Sequence, residues 1–227
     1  MPSAGCVILA IMSRRGHCLD MPKSYDPYAY IIRLEASIVG IEPSITRTVE
    51  LPSDLNFAQL HEVLQASFGW TDSHLHKFHV GGLTVGAPEA IEDPDYGPRV
   101  LEATEIQVKD LTFPYEADPS LTITYQYDFG DDWQHKLVLR RAEIEDGVKY
   151  PRCIAGERAG PPEDVGGYPG YADFLEAWLD PTHEEHKAMR RWAGKKYDPE
   201  RSDLEAINKA IAKAIRACSG DYRQRQV

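Results

Sequence analysis

Two segments of strict alternation lie a short step apart, LTITYQY at 121–127 and WQHKLVLRR at 133–141. An extended chain turns successive side chains to opposite faces. Leu121, Ile123, Tyr125 and Tyr127 therefore share one face of the first segment, and Trp133, His135, Leu137 and Leu139 share one face of the second. The intervening Asp-Phe-Gly-Asp-Asp is only long enough to reverse the chain, so the pair predicts an antiparallel hairpin.

The same period runs through YAYIIRLEASI at 28–38, where Tyr30, Ile32, Leu34, Ala36 and Ile38 fall on one side. GIEPS turns the chain, and ITRTVELP repeats the alternation with Ile45, Val49 and Leu51, which predicts a second antiparallel pair. At Asn56 the period changes. Gln59 completes a capping box, Phe57, Leu60, Leu64 and Phe68 form a helical stripe, and Gly69 stands at the C-cap. A short strand is expected around 75–82, then a surface loop over GAPEAIEDPDYGPR.

From 151 the text becomes glycine- and proline-rich, and only helices are expected after it. One spans Tyr171 to Leu179; one is started by Asp180-Pro181 and runs to about Gly194; one is capped by Ser202 with Glu205 and carries Leu204, Ile207, Ile211, Ala214 and Cys218 as its stripe. Strands followed by helices predict an α+β fold: an antiparallel sheet with one early helix, then a C-terminal group of about three helices. The expected organisation is an extension or tail at 1–24, a single domain at 25–218 and a tail at 219–227. Within the domain, 25–150 forms the sheet part, 151–170 the irregular segment and 171–218 the helical part.

Charge narrows the partners. The formal net charge is −11, but residues 25–185 carry −19 while residues 186–227 carry +6. An acidic body repels phosphate backbones, which leaves Arg190, Arg191, Lys195 and Lys196 as the local candidates for DNA contact. Basic helices lying near the acidic body and balancing its field are the other reading. Cys6, Cys18, Cys153 and Cys218 are scattered without a C-x-x-C pair, which fits a reducing, cytoplasmic compartment. The run CVILAIM at 6–12 is too short to span a bilayer, so no membrane partner is expected.

Three segments, YDFGDDWQH at 127–135, PRCIAGERAGPPEDVGGYPGY at 151–171 and DPTHEEHKAMRRWAGKKYDPERSDLEAIN at 180–208, occur in an order and spacing that resemble one family. FGWTDSHLHKF at 68–78 belongs to the same match. The family is named after a third open reading frame of an Ri plasmid and is also labelled an insertion-element passenger or resolvase-like protein. The resemblance covers roughly 28–211 and implies an α+β domain found in bacterial, archaeal and mobile-element contexts. Family members often carry a second cysteine in the Pro-Pro-Glu-Asp segment. Gly160 stands there in this chain, which undercuts a metal or disulfide role for Cys153.

The resolvase label fails on the residues. Serine recombinases need Tyr-x-Arg-x-Ser, and the nearest string is Tyr30-Ile31-Ile32-Arg33-Leu34; tyrosine recombinases need His-x-x-Arg, and His186 and Arg190 are four apart. His183 and His186 also miss the H-E-x-x-H spacing of zinc proteases. His74, His76 and His79 lie close in sequence, but the first two point opposite to the third in an extended segment.

Two readings remain for 127–135. In one, Gly130 takes a positive φ, the aspartates bond nearby N–H groups and His135 packs beside Trp133. In the other, Asp128, Asp131, Asp132 and His135 hold a divalent ion, joined by Glu163, Asp164, His183 and His186 as the fold permits. Glu163 and Asp164 also suit a general acid/base pair. The leading expectation is a non-enzymatic binding or accessory protein with a protein partner and no cofactor. Its groove would be built around Asp128, Asp131, Asp132, Trp133, His135, Glu163 and Asp164. A metal-dependent hydrolase or nuclease is the alternative, with Asp128, Asp132, His135, His183 and His186 as ligands. DNA association through the basic helices is the second alternative; no phosphate-cradling or nucleotide fingerprint occurs.

Overall fold

The structure, a computed structural model, describes residues 30–87, 100–110, 120–194 and 196–218. The expected tails at 1–24 and 219–227, most of the loop over 86–99, and Lys195 lie outside the described residues.

Among the described residues eight strands form one sheet. They are β1 (Ile31–Ile38), β2 (Thr46–Pro52), β3 (His76–Val80), β4 (Leu83–Gly86), β5 (Val100–Glu102), β6 (Ser120–Tyr127), β7 (Trp133–Ala142) and β8 (Arg152–Glu157), in the spatial order β5-β4-β3-β6-β7-β1-β2-β8. All neighbours pair antiparallel except β4 with β5. Helix α1 (Phe57–Phe68) follows β2, and α2 (Gly167–Leu179), α3 (His186–Trp192) and α4 (Leu204–Ala217) follow β8. The α+β architecture with one early helix and a late helical group is therefore as expected.

Register carries the alternation across the sheet. Leu34 faces Val49 on one side and Leu139 on the other, Ile38 faces His135, and Tyr125 lies between Phe78 and His135. These inward residues are all fully or almost fully buried and join the stripe of α1 in one core. At roughly 2 kcal/mol for each fully buried large apolar side chain, this row is the main stabilising term. On the opposite face Glu50 is buried between Arg33 and Arg152, 2.7 Å from each. Both arginines outweigh the desolvation that would raise its carboxyl and hold it below its usual range.

Helix α1 starts and stops as read from sequence. Asn56 accepts from the N–H of Gln59 at 2.8 Å, Gln59 Oε1 accepts from the N–H of Asn56 at 3.1 Å, and Gly69 is left-handed at φ 86°. Four expectations are corrected. The segment after Tyr150 contains a strand, β8, which pairs with β2 and is fastened by α4. Asn208 both accepts from the N–H and donates to the carbonyl of Cys153, each at 2.8 Å, so the helix covers the sheet edge. Helix α2 begins at Gly167, four residues early, because Pro169 sits in the first turn, where its missing N–H costs nothing. Asp180 ends α2 instead of starting α3; its carboxylate accepts from the N–H and hydroxyl of Thr182, and α3 begins only at His186. The cap of α4 is Asp203, which accepts from Ala206 N–H at 3.0 Å, and not Ser202.

Candidate functional site

Three connections meet at one end of the sheet: 69–75 between α1 and β3, 128–132 between β6 and β7, and 161–167 before α2. Each is fastened to another. Trp70 Nε1 donates to Pro161 O at 2.9 Å, Asp128 N–H donates to Leu75 O at 3.0 Å, and Gly166 N–H donates to Asp131 Oδ2 at 3.1 Å. A Cβ on Gly167 would lie 2.6 Å from Asp131 O, so the 128–132 and 161–167 segments approach this closely only with glycine there.

The hairpin connection is a turn, but Gly130 does not supply its left-handed backbone. Asp128 and Asp132 do, at φ 55° and 53°, and Asp72 and Asp164 adopt the same conformation at 56° and 57°. Aspartate tolerates this region better than most residues, and its concentration in three touching loops marks a backbone held by its surroundings. Asp128 Oδ1 accepts from the N–H groups of Gly130 and Asp131 at 2.9 and 3.2 Å, as the turn reading required.

The other Asp128 oxygen, Oδ2, lies 3.5 Å from His74 Nε2, which is 2.7 Å from Asp164 Oδ1. Burial alone would lower the His74 pKa, but the Asp164 bond and the charges of Asp128, Asp164 and Glu163 raise it above its ordinary value. Glu163 stands beside them. Its Oε1 accepts from Tyr127 OH at 2.6 Å, and its Oε2 accepts from Thr71 N–H at 2.8 Å and Thr71 Oγ1 at 3.1 Å. Burial, reinforced by that bond to Glu163, pushes the Tyr127 phenol far up, so it is a hydroxyl donor at any working pH.

Asp128, Asp131, Glu163 and Asp164 thus come together, and His74, which sequence placed on a strand face with His76, joins them because β3 begins only at His76. Asp132 turns aside, its Oδ1 accepting from the side-chain amides of Gln126 at 2.6 Å and of Gln134. Trp133 and His135 lie beneath the surface and are almost wholly buried. His135 is enclosed by Phe68, Trp70 and Tyr125, and its Nδ1 donates to the carbonyls of Trp133 and Tyr125 at 3.2 and 3.3 Å. His183 sits on the α2–α3 connection and His186 is the first residue of α3, with local partners, Glu185 N–H and Ala177 O respectively. The ligand set Asp128, Asp132, His135, His183 and His186 is therefore dispersed. The combination that converges is His74, Asp128 and Asp164, whose ligand atoms all lie within 4.8 Å of one another.

A second histidine cluster lies deeper. His61 Nδ1 is 2.8 Å from Tyr125 OH, its Nε2 is 2.7 Å from Asp72 Oδ1, and its ring stacks on His76 with centroids 3.5 Å apart and planes within 5°. Imidazole lone pairs lie in the ring plane, so two parallel rings cannot converge on one ion. This group is a hydrogen-bonded core element. His79, on the opposite face of β3, is exposed, as alternation requires.

Beside the loops lies an open cleft of about 610 Å³ between α1, the 159–164 segment and the chain from Trp192 into α4. Glu163 and Asp164 are on its lining, as are Arg47, Arg201, Ser202 and the half-exposed Trp192. A Cβ on Gly160 would lie 2.1 Å from Phe68 O, so this backbone admits no cysteine at that position without moving. Cys153 is buried and free, and burial raises its thiol pKa against the opposing charge of Arg47, which makes it an unreactive thiol. Among the basic candidates, Arg190 lies over the Trp178 ring at 4.1 Å, and Arg190, Arg191 and Lys196 are all exposed. No described helix is long and apolar enough to cross a membrane.

The class is therefore an α+β protein whose mostly antiparallel sheet presents a His/carboxylate cluster and an adjoining cleft at one end. The chain belongs to the plasmid pRiA4b ORF-3-like protein family, whose model matches residues 30–206. It is 34% identical over 184 residues to the uncharacterized protein y4hQ of Sinorhizobium fredii (strain NBRC 101917 / NGR234), covering 81% of this chain and 91% of that one. The crystal structure of the protein of unknown function MM3350 from Methanosarcina mazei Go1 is similar with a TM-score of 0.65 and 35% identity, covering 78% of this chain and 96% of that one.

Proposed function

We propose that this protein acts by binding, as an accessory module of the cytoplasm that holds a segment of a partner protein in the cleft beside the His74 cluster. The observation that carries this reading is the docking of the 128–132 and 161–167 loops against each other, which fixes one wall of a cleft of about 610 Å³. Preformed concave sites of this size, apolar with a few placed polar groups, are the usual form of a recognition site. Exposed Ala206 lines the cleft near the start of α4, so Ala206→Trp fills it from a solvated position. Capture from the native host with wild-type and Ala206→Trp protein tests the reading. A partner retained by the first and lost by the second supports it, and a partner retained equally by both refutes it.

A second reading, a divalent-cation site, is favoured by one specific observation. His74 Nε2 lies 2.7 and 3.5 Å from two carboxylate oxygens, which brackets the spacing of roughly 3 Å between neighbouring ligands of a small divalent ion. One imidazole with carboxylates suits zinc or manganese. Elemental analysis of tag-free protein purified without chelators, beside His74→Ala and Asp128→Asn, decides it. Stoichiometric metal in wild type only supports the site, and metal-free folded wild type that binds none on dialysis against zinc or manganese removes it.

A further inference from the structure

Arg47 is 2% exposed. Among the described residues three other buried charges meet an opposite charge: Glu50 has Arg33 and Arg152, Arg158 has Glu200, and Asp128 has His74. Among the described residues Arg47 has no carboxylate partner. Its Nε donates to Ser67 O at 2.7 Å and its Nη1 to Thr46 O and Glu157 O at 2.6 and 3.0 Å, while its guanidinium lies 5.1 Å from the centre of the Phe68 ring. The carbonyl of Ser67, in the last turn of α1, offers the negative end of a helix dipole, which compensates the charge only in part. Nη2 bonds to none of the described residues, and Arg47 lines the cleft. A buried cation without a counter-charge costs several kcal/mol, and the cleft is where a counter-charge can enter.

Ser202 lines the same cleft, but its Oγ is closed off within the wall and out of reach of an incoming group. Nη2 is the donor that Arg47 has left over, and a guanidinium N–H suits a carboxylate oxygen.

We infer that the cleft receives a carboxylate borne by an extended segment of a partner protein, which accepts a hydrogen bond from Arg47 Nη2. This deepens the binding reading above and rests on it. Phosphate fits less well. Glu163 and Asp164 on the same cleft and the −19 carried by 25–185 oppose a dianion more than a monoanion. A peptide fits better than a small free acid. The cleft far exceeds the volume of one carboxylate, its walls include the small Ala66, Ala159 and Ala210, and Trp192 offers a half-exposed apolar surface for a neighbouring side chain.

The test is a titration of the full chain, labelled with ¹⁵N at arginine, with acetate, inorganic phosphate and chloride at constant ionic strength. The Arg47 Nε–H resonance is expected to shift saturably with acetate and to move little with phosphate or chloride. Arg47 itself fastens β2, α1 and β8, so its removal confounds binding with folding, and a variant of the exposed cleft residue Ala206 is used instead. Ala206→Trp is expected to abolish the shift. An Arg47 resonance insensitive to acetate, an equal response to phosphate, or a shift that survives Ala206→Trp each overturns the carboxylate assignment. The binding reading fails separately, when wild type and Ala206→Trp retain the same partner.

Discussion

Acid should weaken this protein through His135, and the size of the effect follows from where that ring lies. His135 is fully buried among Phe68, Trp70 and Tyr125, and burial brings its pKa from 6.5 to about 4 against the opposing help of two backbone carbonyls. In the unfolded chain the imidazole takes a proton near its ordinary pKa, whereas in the folded protein it stays neutral. Its contribution to stability is therefore whole above pH 6.5 and is lost as pH falls toward 4. A displacement of that size corresponds to about 3 kcal/mol. His76, held well below its usual value by burial and then by His61, adds loss in the same direction, and so does Glu50 in stronger acid, where its depressed carboxyl is protonated. His74, raised by its carboxylates, acts oppositely: its contribution is whole in acid and lost as pH rises through its elevated pKa. The difference between wild type and His135→Phe, which keeps a ring in the same aromatic enclosure, removes these shared terms. Urea denaturation near neutrality and at about pH 4.5 should show wild type losing roughly 2–3 kcal/mol more than the variant. Equal losses, within about 0.5 kcal/mol, would refute the assignment of a neutral buried His135.

Other residues give sharper structural tests. Asn56→Ala deletes one half of the capping box of α1 and should cost about 1 kcal/mol, read as a lower urea midpoint with an unchanged slope. Trp133→Ala empties a fully buried site at the start of β7 that touches Trp70, Tyr168 and Tyr171, and should cost roughly 3–5 kcal/mol by the same measurement. Gly160→Ala places a methyl 2.1 Å from Phe68 O, so a loss of about 2 kcal/mol or more is expected; a variant as stable as wild type would mean that this segment can withdraw from α1.

The parts legible in sequence are those whose causes are local. Alternation places β1, β2, β6 and β7, because each strand buries one face and the period of two admits no slip without exposing the whole row. The capping box places α1 because both its bonds join residues three apart. What escaped was decided at a distance. β8 contains Gly156 and follows Pro151, which blurs its period, and it is a strand because β2 pairs with one edge and Asn208 of α4 grips Cys153. Ser202 and Asp203 are both plausible caps by residue type, and the hydroxyl of the first is buried in the cleft wall instead. The site was half visible for the same reason. Asp128, Asp131, Glu163 and Asp164 were named from their texts, but His74 joins them through the strand boundary at His76, which no short pattern marks. Arg47 did leave a signal. The parity that turns Ile45, Val49 and Leu51 inward turns residue 47 inward too, and register sets it opposite buried Ala36. A lone arginine on the apolar parity of a strand is a charge sent into the core, where some other group has to answer it. Here the protein's own answer is three neutral carbonyl oxygens, and the adjoining cleft is open to a fourth partner.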